Sequence, residues 1–267
     1  MEFFTLINGL QIPALGSGTN TFAKTDRVYD GNTKEICSAI EVGYRLFDTA
    51  EAYDNEEAVG AGVIESGVGR ENMFICTKMS SRLERPMTRA DVSAAIERSL
   101  TRLKTDYIDL YLLHFPRKDP AETAELWKGF EEAYGKGILK AIGTCNFRAE
   151  QLEALLDVCK IPPMVNQVRC NPDDWNSAAV ECAQKNGVYP MAWAPLTFDE
   201  KHRELLAVVG ARRQKTWAQV ILRYQYQRGV ITIPKSHSVE HQKSNLDIFD
   251  FVLTDTEMAE ISALQGI

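Results

Sequence analysis

Short apolar runs alternate with longer stretches of helical periodicity along the chain. Eight such runs occur, at residues 14–18, 45–47, 73–77, 107–113, 139–143, 164–166, 188–192 and 230–233. Strands that alternate with helices are typical of a parallel sheet, and eight units of this length predict a closed (β/α)8 TIM barrel of the α/β class. Before them, two short apolar stretches flank Asn8–Gly9, a dipeptide that favours a tight β-hairpin turn. We expect residues 1–267 to form this one barrel domain.

Local start signals predict where several helices begin. Thr88 and Asp91 have the spacing of a capping box, as do Thr254 and Glu257, and Asp119–Pro120 supplies an N-cap followed by a first-turn proline. The alternative architecture is an open doubly wound sheet, which usually has a glycine-rich phosphate turn after its first strand. The corresponding segment, Gly16-Ser-Gly18-Thr-Asn-Thr21, lacks the third glycine of that turn. The pattern therefore favours the barrel.

Composition and charge narrow the classes of function. The formal net charge is −7 and the sequence pI is about 5.3, which argues against a general nucleic-acid surface but leaves room for a local cationic pocket. None of the six cysteines belongs to a C-x-x-C pair, so a reducing, cytoplasmic environment is expected. The amino-terminal segment has no basic region followed by a long apolar run, and no segment approaches about 20 apolar residues. We expect neither a signal peptide nor a membrane partner.

Most of the apolar runs end on a residue that can bind a ligand or move a proton. Because the carboxyl ends of all barrel strands lie on one face, these residues are expected to meet there. In chain order they are Asp48 with Tyr53 just beyond it, Lys78, His114, Asn146, Gln167, Trp193 and Lys235–Ser236. Taken singly, a lysine at a strand end is usually solvated and a lone histidine is usually a hydrogen-bonded core residue. Taken together, they predict a site.

Four of these side chains form a candidate acid–base set: Asp48, Tyr53, Lys78 and His114. A buried ammonium needs an anionic partner, which Asp48 can supply, and the charge on Lys78 is expected to lower the pKa of Tyr53 from about 10. A carbonyl oxygen between Tyr53 and His114 would accept hydrogen bonds from both. No Ser or Cys adjoins His114, so a cofactor must supply the remaining reactivity. The amides of Asn146 and Gln167 and the flat ring of Trp193 suit a nicotinamide.

Six segments, in this order, resemble motifs of the aldo-keto reductase family. They are GYRLFDTAEAYDNEEAVG, DLYLLHFP, GTCNF, VNQVRCNP, AWAPL and ITIPKS. The resemblance extends over essentially the whole chain and is closest to bacterial members similar to diketogluconate reductases. It implies an NADP-dependent oxidoreductase that reduces aldehydes or ketones of small or polar compounds to alcohols.

The resemblance also implies roles for individual residues. Tyr53 would be the general acid, Asp48 and Lys78 would tune it, and His114 would orient a small-molecule carbonyl. NADPH would lie across the mouth of the barrel, with NADH as a weaker alternative. The implied cofactor contacts are Gly18, Thr19, Asp48, Asn146, Gln167, Trp193, Ala194, Pro195, Leu196, Lys235, Ser236, His241 and Asn245. The implied substrate contacts are Asn20, Phe22, Tyr53, Ser80, His114 and Phe115. The oligomeric state is open, with a monomer favoured.

The sequence departs from the family pattern at four of these positions or their neighbours. Cys145 stands where a serine is usual, Asn20 and Ser80 stand where aromatic residues are common, and His241 stands where an arginine is usual. The chain also ends soon after the helix predicted at 254–264, so the long carboxy-terminal loop of many relatives is expected to be absent. These differences predict an open, partly polar substrate pocket and a weaker preference for NADPH over NADH.

Two other functions are compatible with parts of the sequence. His237-Ser-Val-Glu-His241 matches the H-x-x-E-H zinc pattern, so a zinc-dependent hydrolase using His237 and His241 on a barrel scaffold is an alternative. A short pattern of this kind also occurs by chance, and we expect no metal. A barrel subunit without catalytic activity is the second alternative, and the intact acid–base set argues against it.

Overall fold

Parallel strands in sequential order form the centre of the computed structural model, which describes residues 1–26 and 28–265. The strands are β1 (Phe3–Thr5), β2 (Gln11–Pro13), β3 (Ser17–Gly18), β4 (Lys24–Thr25), β5 (Val28–Tyr29), β6 (Leu46–Asp48), β7 (Phe74–Met79), β8 (Leu110–Leu113), β9 (Ile142–Cys145), β10 (Val165–Arg169), β11 (Tyr189–Trp193) and β12 (Ile231–Thr232). The main sheet contains β3 and β6 to β12, each hydrogen-bonded to the next. Of the predicted domain, residues 27, 266 and 267 lie outside the described residues.

The two ends of this sheet join to close a barrel. Leu15 forms a parallel bridge with Thr232, the amide of Gly16 donates to the Thr232 carbonyl at 2.8 Å, and the amide of Thr232 donates to Ala14 at 3.1 Å. The prediction of a (β/α)8 barrel is confirmed, and the open-sheet alternative is wrong. Outside the barrel, β1 and β2 form the predicted hairpin, while the β4–β5 hairpin was not expected from the sequence.

Ten helices surround the strands in the described part of the chain. They are α1 (Lys34–Val42), α2 (Glu56–Glu65), α3 (Arg89–Leu103), α4 (Pro120–Gly135), α5 (Ala149–Leu156), α6 (Ser177–Lys185), α7 (Glu200–Ala211), α8 (Trp217–Gln227), α9 (Val239–Leu246) and α10 (Asp255–Ser262). The predicted capping boxes at Thr88 and Thr254 are present, and the Asp119 carboxylate accepts from the amide of Ala121 at 2.9 Å. None of the helices in the described ranges is long and apolar enough to cross a membrane.

Strand boundaries differ from the prediction at the end that matters for the site. The strand β7 continues beyond its apolar run to include Lys78 and Met79, and β10 continues to Arg169. Each of these strands pairs with a strand on both sides. Backbone hydrogen bonds between strands do not depend on side-chain polarity, so a strand extends through polar residues wherever an adjacent strand is available to pair with it. An apolar pattern cannot show this, so it places Lys78 at the end of a strand that in fact extends beyond it.

Close approach of α2 to the end of α3 depends on a residue without a side chain. A Cβ atom on Gly60 would overlap the backbone carbonyl of Leu103, and backbone cannot turn aside as a flexible side chain can. Gly135, the last residue of α4, has no heavy atom within 4 Å of the corresponding position. Both glycines lie in helices, and Gly135 serves as a comparison without steric overlap.

We predict that Gly60→Ala lowers the free energy of unfolding by about 1–3 kcal/mol, because the two helices must move apart. Gly135→Ala should leave it unchanged or raise it by up to about 1 kcal/mol, because alanine favours helical backbone. Urea unfolding followed by circular dichroism measures both. Equal effects of the two substitutions would contradict this account of the α2–α3 contact.

Candidate active site

A buried ion pair between Lys78 and Asp48 lies at the carboxyl end of the barrel. The Lys78 Nζ atom is 2.7 Å from Asp48 Oδ2 and donates to the Thr49 carbonyl at 2.8 Å. The Gln167 side chain donates to the other carboxylate oxygen of Asp48 at 2.7 Å. Burial is the largest single influence and lowers the pKa of Lys78, but Asp48 together with Tyr53, Cys76 and Cys145 outweighs it, so the net pKa is raised. Lys78 therefore stays charged in the interior.

Tyr53 is held over this pair by a short 3-10 turn, Glu51–Tyr53, that follows β6. Its hydroxyl is 3.5 Å from Lys78 Nζ, which also lies 4.8 Å from the centroid of the phenol ring. Burial raises the pKa of Tyr53 to about 12, although the charge of Lys78 acts in the opposite direction. The expected net lowering is thus corrected: desolvation is the larger effect, and the phenol keeps its proton at neutral pH.

His114 follows β8 and faces the same space as Tyr53. The two rings meet edge to face with centroids 6.0 Å apart, and the imidazole stacks on Phe115 at 4.6 Å. Burial, then the charges of Lys78 and Arg82, lower the pKa of His114 to about 3. The imidazole is therefore neutral at physiological pH, and it can donate one hydrogen bond without carrying a charge.

A layer of amide and indole groups adjoins the acid–base set. Trp193 is half-buried and donates to Asn146 Oδ1 at 3.0 Å, and the Asn146 amide donates to the His114 carbonyl at 3.0 Å. Asn146 adopts a left-handed conformation with φ of 62°. Burial raises the pKa of the Cys145 thiol to about 12. Gln167, expected as a cofactor contact, uses its amide nitrogen to hold Asp48, which the sequence did not predict.

The remaining predicted cofactor residues lie where β3, β11 and β12 meet the barrel mouth. Gly18 donates its amide to Pro234, and Thr19 donates its amide and hydroxyl to the Asp48 carbonyl at 3.0 and 2.9 Å. Ala194 begins the segment that continues through Pro195 and Leu196, and it has a positive φ of 50°. Asn245 is buried in α9, where its side chain contacts the Tyr44 hydroxyl. Burial raises the pKa of Tyr44, and the hydrogen bond with Asn245 partly offsets that rise.

His237, which the sequence suggested only as a zinc ligand, lies beside Lys235. Lys235 donates to the Thr21 hydroxyl at 2.8 Å, and that hydroxyl is 2.9 Å from His237 Nε2. The other ring nitrogen of His237 is 3.0 Å from Glu35 Oε1. Ser236 accepts from the amide of Ser238 at 3.1 Å. The predicted contact residue His241 lies on the exposed face of α9, one turn further on.

A cleft of about 1080 Å³ opens from Tyr53 and His114 between the loops that follow β7, β8 and β9. Asn20 and Phe115, which were expected as substrate contacts, line it. Phe22 does not, because it is fully buried against His237, with ring centroids 5.2 Å apart. Ser80 faces a separate, smaller cleft, while its neighbour Ser81 lines the main one. Phe22 and Ser80, both expected as substrate contacts, therefore lie outside the lining of the main cleft.

The zinc alternative has no supporting cluster in the described ranges. No group of three or more His, Cys, Asp and Glu side chains able to hold a metal ion occurs among residues 1–26 and 28–265. His237 instead contacts Thr21 and Glu35, as described above. The H-x-x-E-H spacing begins before α9 and not within one helix, so its two histidines are not on one helical face.

Comparisons with known proteins agree over nearly the full length of the chain. A family model described as "Aldo/keto reductase family" matches residues 14–265. The chain is 40% identical over 262 residues to a glyoxal reductase of Bacillus subtilis, covering 97% of this chain and 91% of that protein. A solved structure of an aldo-keto reductase of Bombyx mori in complex with NADP has a TM-score of 0.90 and 33% identity, with 99% and 92% of the two chains covered. A solved structure of an aldo/keto reductase from Brucella melitensis has a TM-score of 0.91 and 33% identity, with 99% of each chain covered.

The depressed pKa of His114 predicts a specific dependence of stability on pH. The pKa of His114 is about 3 in the folded protein and ordinarily 6.5, so the unfolded chain binds a proton at this residue more readily. The neutral imidazole therefore costs no stability above pH 6.5, and the free energy of unfolding falls as the pH is lowered from 6.5 towards 3. His114→Phe keeps an aromatic ring but cannot protonate. The free energy of unfolding of the variant relative to the wild type should rise by about 1–3 kcal/mol between pH 7 and pH 4. Urea unfolding of both proteins at pH 7 and pH 4 measures this difference. A difference that does not change with pH would show that the pKa of His114 is not lowered in the folded protein.

Proposed function

This chain belongs to the aldo/keto reductase family, and we propose that it reduces aldehydes and ketones of small or polar compounds to alcohols with NADPH. The protein is an NADP-dependent oxidoreductase. The observation that carries the proposal is the grouping of Tyr53, His114 and the buried Lys78–Asp48 pair at the base of one cleft. The relative named glyoxal reductase and the NADP complex of a structural neighbour support it.

The mechanism follows from the protonation states of the side chains. Reduction of a carbonyl needs a hydride equivalent, which NADPH supplies when bound, and a proton for the oxygen. Tyr53 keeps its proton at neutral pH and so can donate it to the carbonyl oxygen. The neutral imidazole of His114 can donate a second hydrogen bond to the same oxygen. The Lys78 ammonium stabilises the phenolate that remains, and the phenolate regains a proton from solvent.

The groups at the barrel mouth fit a nicotinamide dinucleotide. An indole face at Trp193 and an amide at Asn146 suit the nicotinamide end, while Lys235 and nearby hydroxyls suit a phosphate. The Gln167 amide nitrogen is committed to Asp48, so this residue would act on the cofactor mainly through its oxygen. Thr21 and His237 are added to the proposed phosphate end, because Lys235 donates to the Thr21 hydroxyl and that hydroxyl contacts His237.

Finer features of the proposal rest on other observations. Asn20 and Ser81 line the cleft with small polar groups, which suits small or polar substrates. All six cysteines are free, which fits a cytoplasmic protein. Residues 1–267 are proposed to act as one domain and as a monomer, because the acid–base set of Asp48, Tyr53, Lys78 and His114 is complete within one barrel.

We predict that Tyr53→Phe lowers kcat/KM for a short aldehyde by 10²–10⁴-fold, because the proton donor is removed. NADPH binding, followed by quenching of tryptophan fluorescence, should change little. Tyr189→Phe is the matched control, because its ring packs on Phe4 at the opposite end of β11. Retention of more than about a hundredth of the wild-type rate by Tyr53→Phe would contradict the acid role.

We predict that Lys235→Met weakens NADPH binding at least tenfold and NADH binding little, because only NADPH carries a 2′-phosphate. His241→Arg should strengthen NADPH binding several-fold by adding a permanently charged, planar fork. Glu240→Gln, on the same exposed turn of α9, produces the same change in net charge without a guanidinium. Dissociation constants for both cofactors measure all three variants. An equal gain from Glu240→Gln would show that charge alone matters, and no gain from His241→Arg would exclude position 241 from the phosphate site.

A further inference from the structure

Arg82, His114 and the Phe115 ring between them form a stack that extends outward from the acid–base set. The Arg82 guanidinium carbon lies 3.4 Å from the centroid of the Phe115 ring, and that ring stacks on His114 at 4.6 Å with planes 14° apart. Together the two distances place the guanidinium within about 8 Å of the imidazole. At this distance its charge adds to the effects of burial and of Lys78, which together lower the pKa of His114.

The loop that carries Arg82 is held in place by its neighbours. The Ser81 hydroxyl donates to the Phe115 carbonyl at 2.8 Å and accepts from the Phe115 amide at 3.0 Å. Arg117 donates to the carbonyls of Ser81, Leu83 and Arg85, the last two at 2.8 and 2.9 Å. Three convergent carbonyls on one guanidinium fix the path of the loop between residues 81 and 85. The position of Arg82 beside Phe115 is therefore built by the fold.

The charge of Arg82 is available to a ligand, unlike that of most cations in the cleft. Arg85 pairs with Asp91, Arg117 pairs with Glu122 at 3.1 Å, and Arg148 approaches Glu150 at 3.9 Å. Among the described residues, no carboxylate pairs with Arg82, which contacts the ring face of Phe115 and is exposed at the cleft. Stacking leaves the in-plane N–H groups of a guanidinium free to bind a carboxylate in a bidentate manner.

We infer that Arg82 binds an anionic group of the substrate, and that the enzyme prefers aldehydes or ketones that carry a carboxylate a few bonds from the carbonyl. This inference rests on the proposed function, because it places the carbonyl between Tyr53 and His114. The overall charge of −7 does not oppose it, because cationic side chains outnumber acidic ones in the lining of this cleft. The cations are Arg82, Arg85, Arg117, Lys118 and Arg148, and the acids are Glu84, Asp119 and Glu122.

Two aldehydes that differ in charge but share a rigid ring test the inference: 4-carboxybenzaldehyde and its neutral methyl ester. Wild-type enzyme with NADPH should show the higher kcat/KM for the acid. In Arg82→Gln the ratio of kcat/KM for the acid to that for the ester should fall about tenfold, a modest value because Arg82 is solvent-exposed. The wild-type ratio should also fall as KCl is raised from 10 to 300 mM, because salt screens exposed charges.

Lys118→Gln is the matched control, because Lys118 lines the same cleft and carries the same charge without contacting Phe115. It should leave the ratio within about twofold of wild type. An equal fall in Lys118→Gln, or an unchanged ratio in Arg82→Gln, would overturn the inference in favour of a diffuse field or of no anion site. Turnover of the ester but not of the acid by wild type would overturn it while leaving the proposed function intact. Turnover of neither aldehyde would count against the proposed function itself.

Discussion

Burial of the Lys78–Asp48 ion pair is the constraint on which the rest of the site depends. Each charge removed from water costs several kcal/mol unless its hydrogen-bonding capacity is filled. Here Lys78 contacts Asp48 and the Thr49 carbonyl, while Gln167 donates to the second carboxylate oxygen. These groups come from β6, β7 and β10, which lie at different positions around the barrel. The pair itself joins the adjacent strands β6 and β7, whereas its contact with Gln167 also requires β10, so the full set of contacts forms only when the sheet has curled round.

The same pair determines the electrostatics of the two groups above it. The Lys78 ammonium favours a phenolate at Tyr53 and disfavours an imidazolium at His114, and burial keeps both groups neutral. A neutral phenol and a neutral imidazole are both hydrogen-bond donors, so burial leaves two neutral donors at the base of the cleft, and the Lys78 charge reinforces this at His114 while opposing it at Tyr53. This arrangement stabilises negative charge developing on a carbonyl oxygen without placing a second cation there.

The two sides of the barrel mouth are built differently. On one side, the strand ends β3 and β12 bring Lys235 together with Thr21 and His237 through direct hydrogen bonds. On the other side, the loops after β7 and β8 are joined by Ser81 and Arg117, whose contacts are mostly to backbone carbonyls. Strands β6, β7 and β10 supply Asp48, Lys78 and Gln167, whereas the proposed substrate-binding groups lie on loops, as is usual for barrel enzymes.

The sequence by itself determined the features that depend on local interactions or on repetition. Eight apolar runs with helical stretches between them predicted the barrel, and the capping residues Thr88 and Asp119 predicted helix starts correctly. Motif resemblance then indicated the cofactor and the acid–base set. Only the tertiary structure decided which distant groups meet: Gln167 with Asp48, 119 positions apart, His237 with Thr21, 216 apart, and Arg82 with Phe115. It also decided the pKa of Tyr53, because desolvation depends on how much of the folded chain surrounds a group, and no spacing of residues along the sequence contains that quantity.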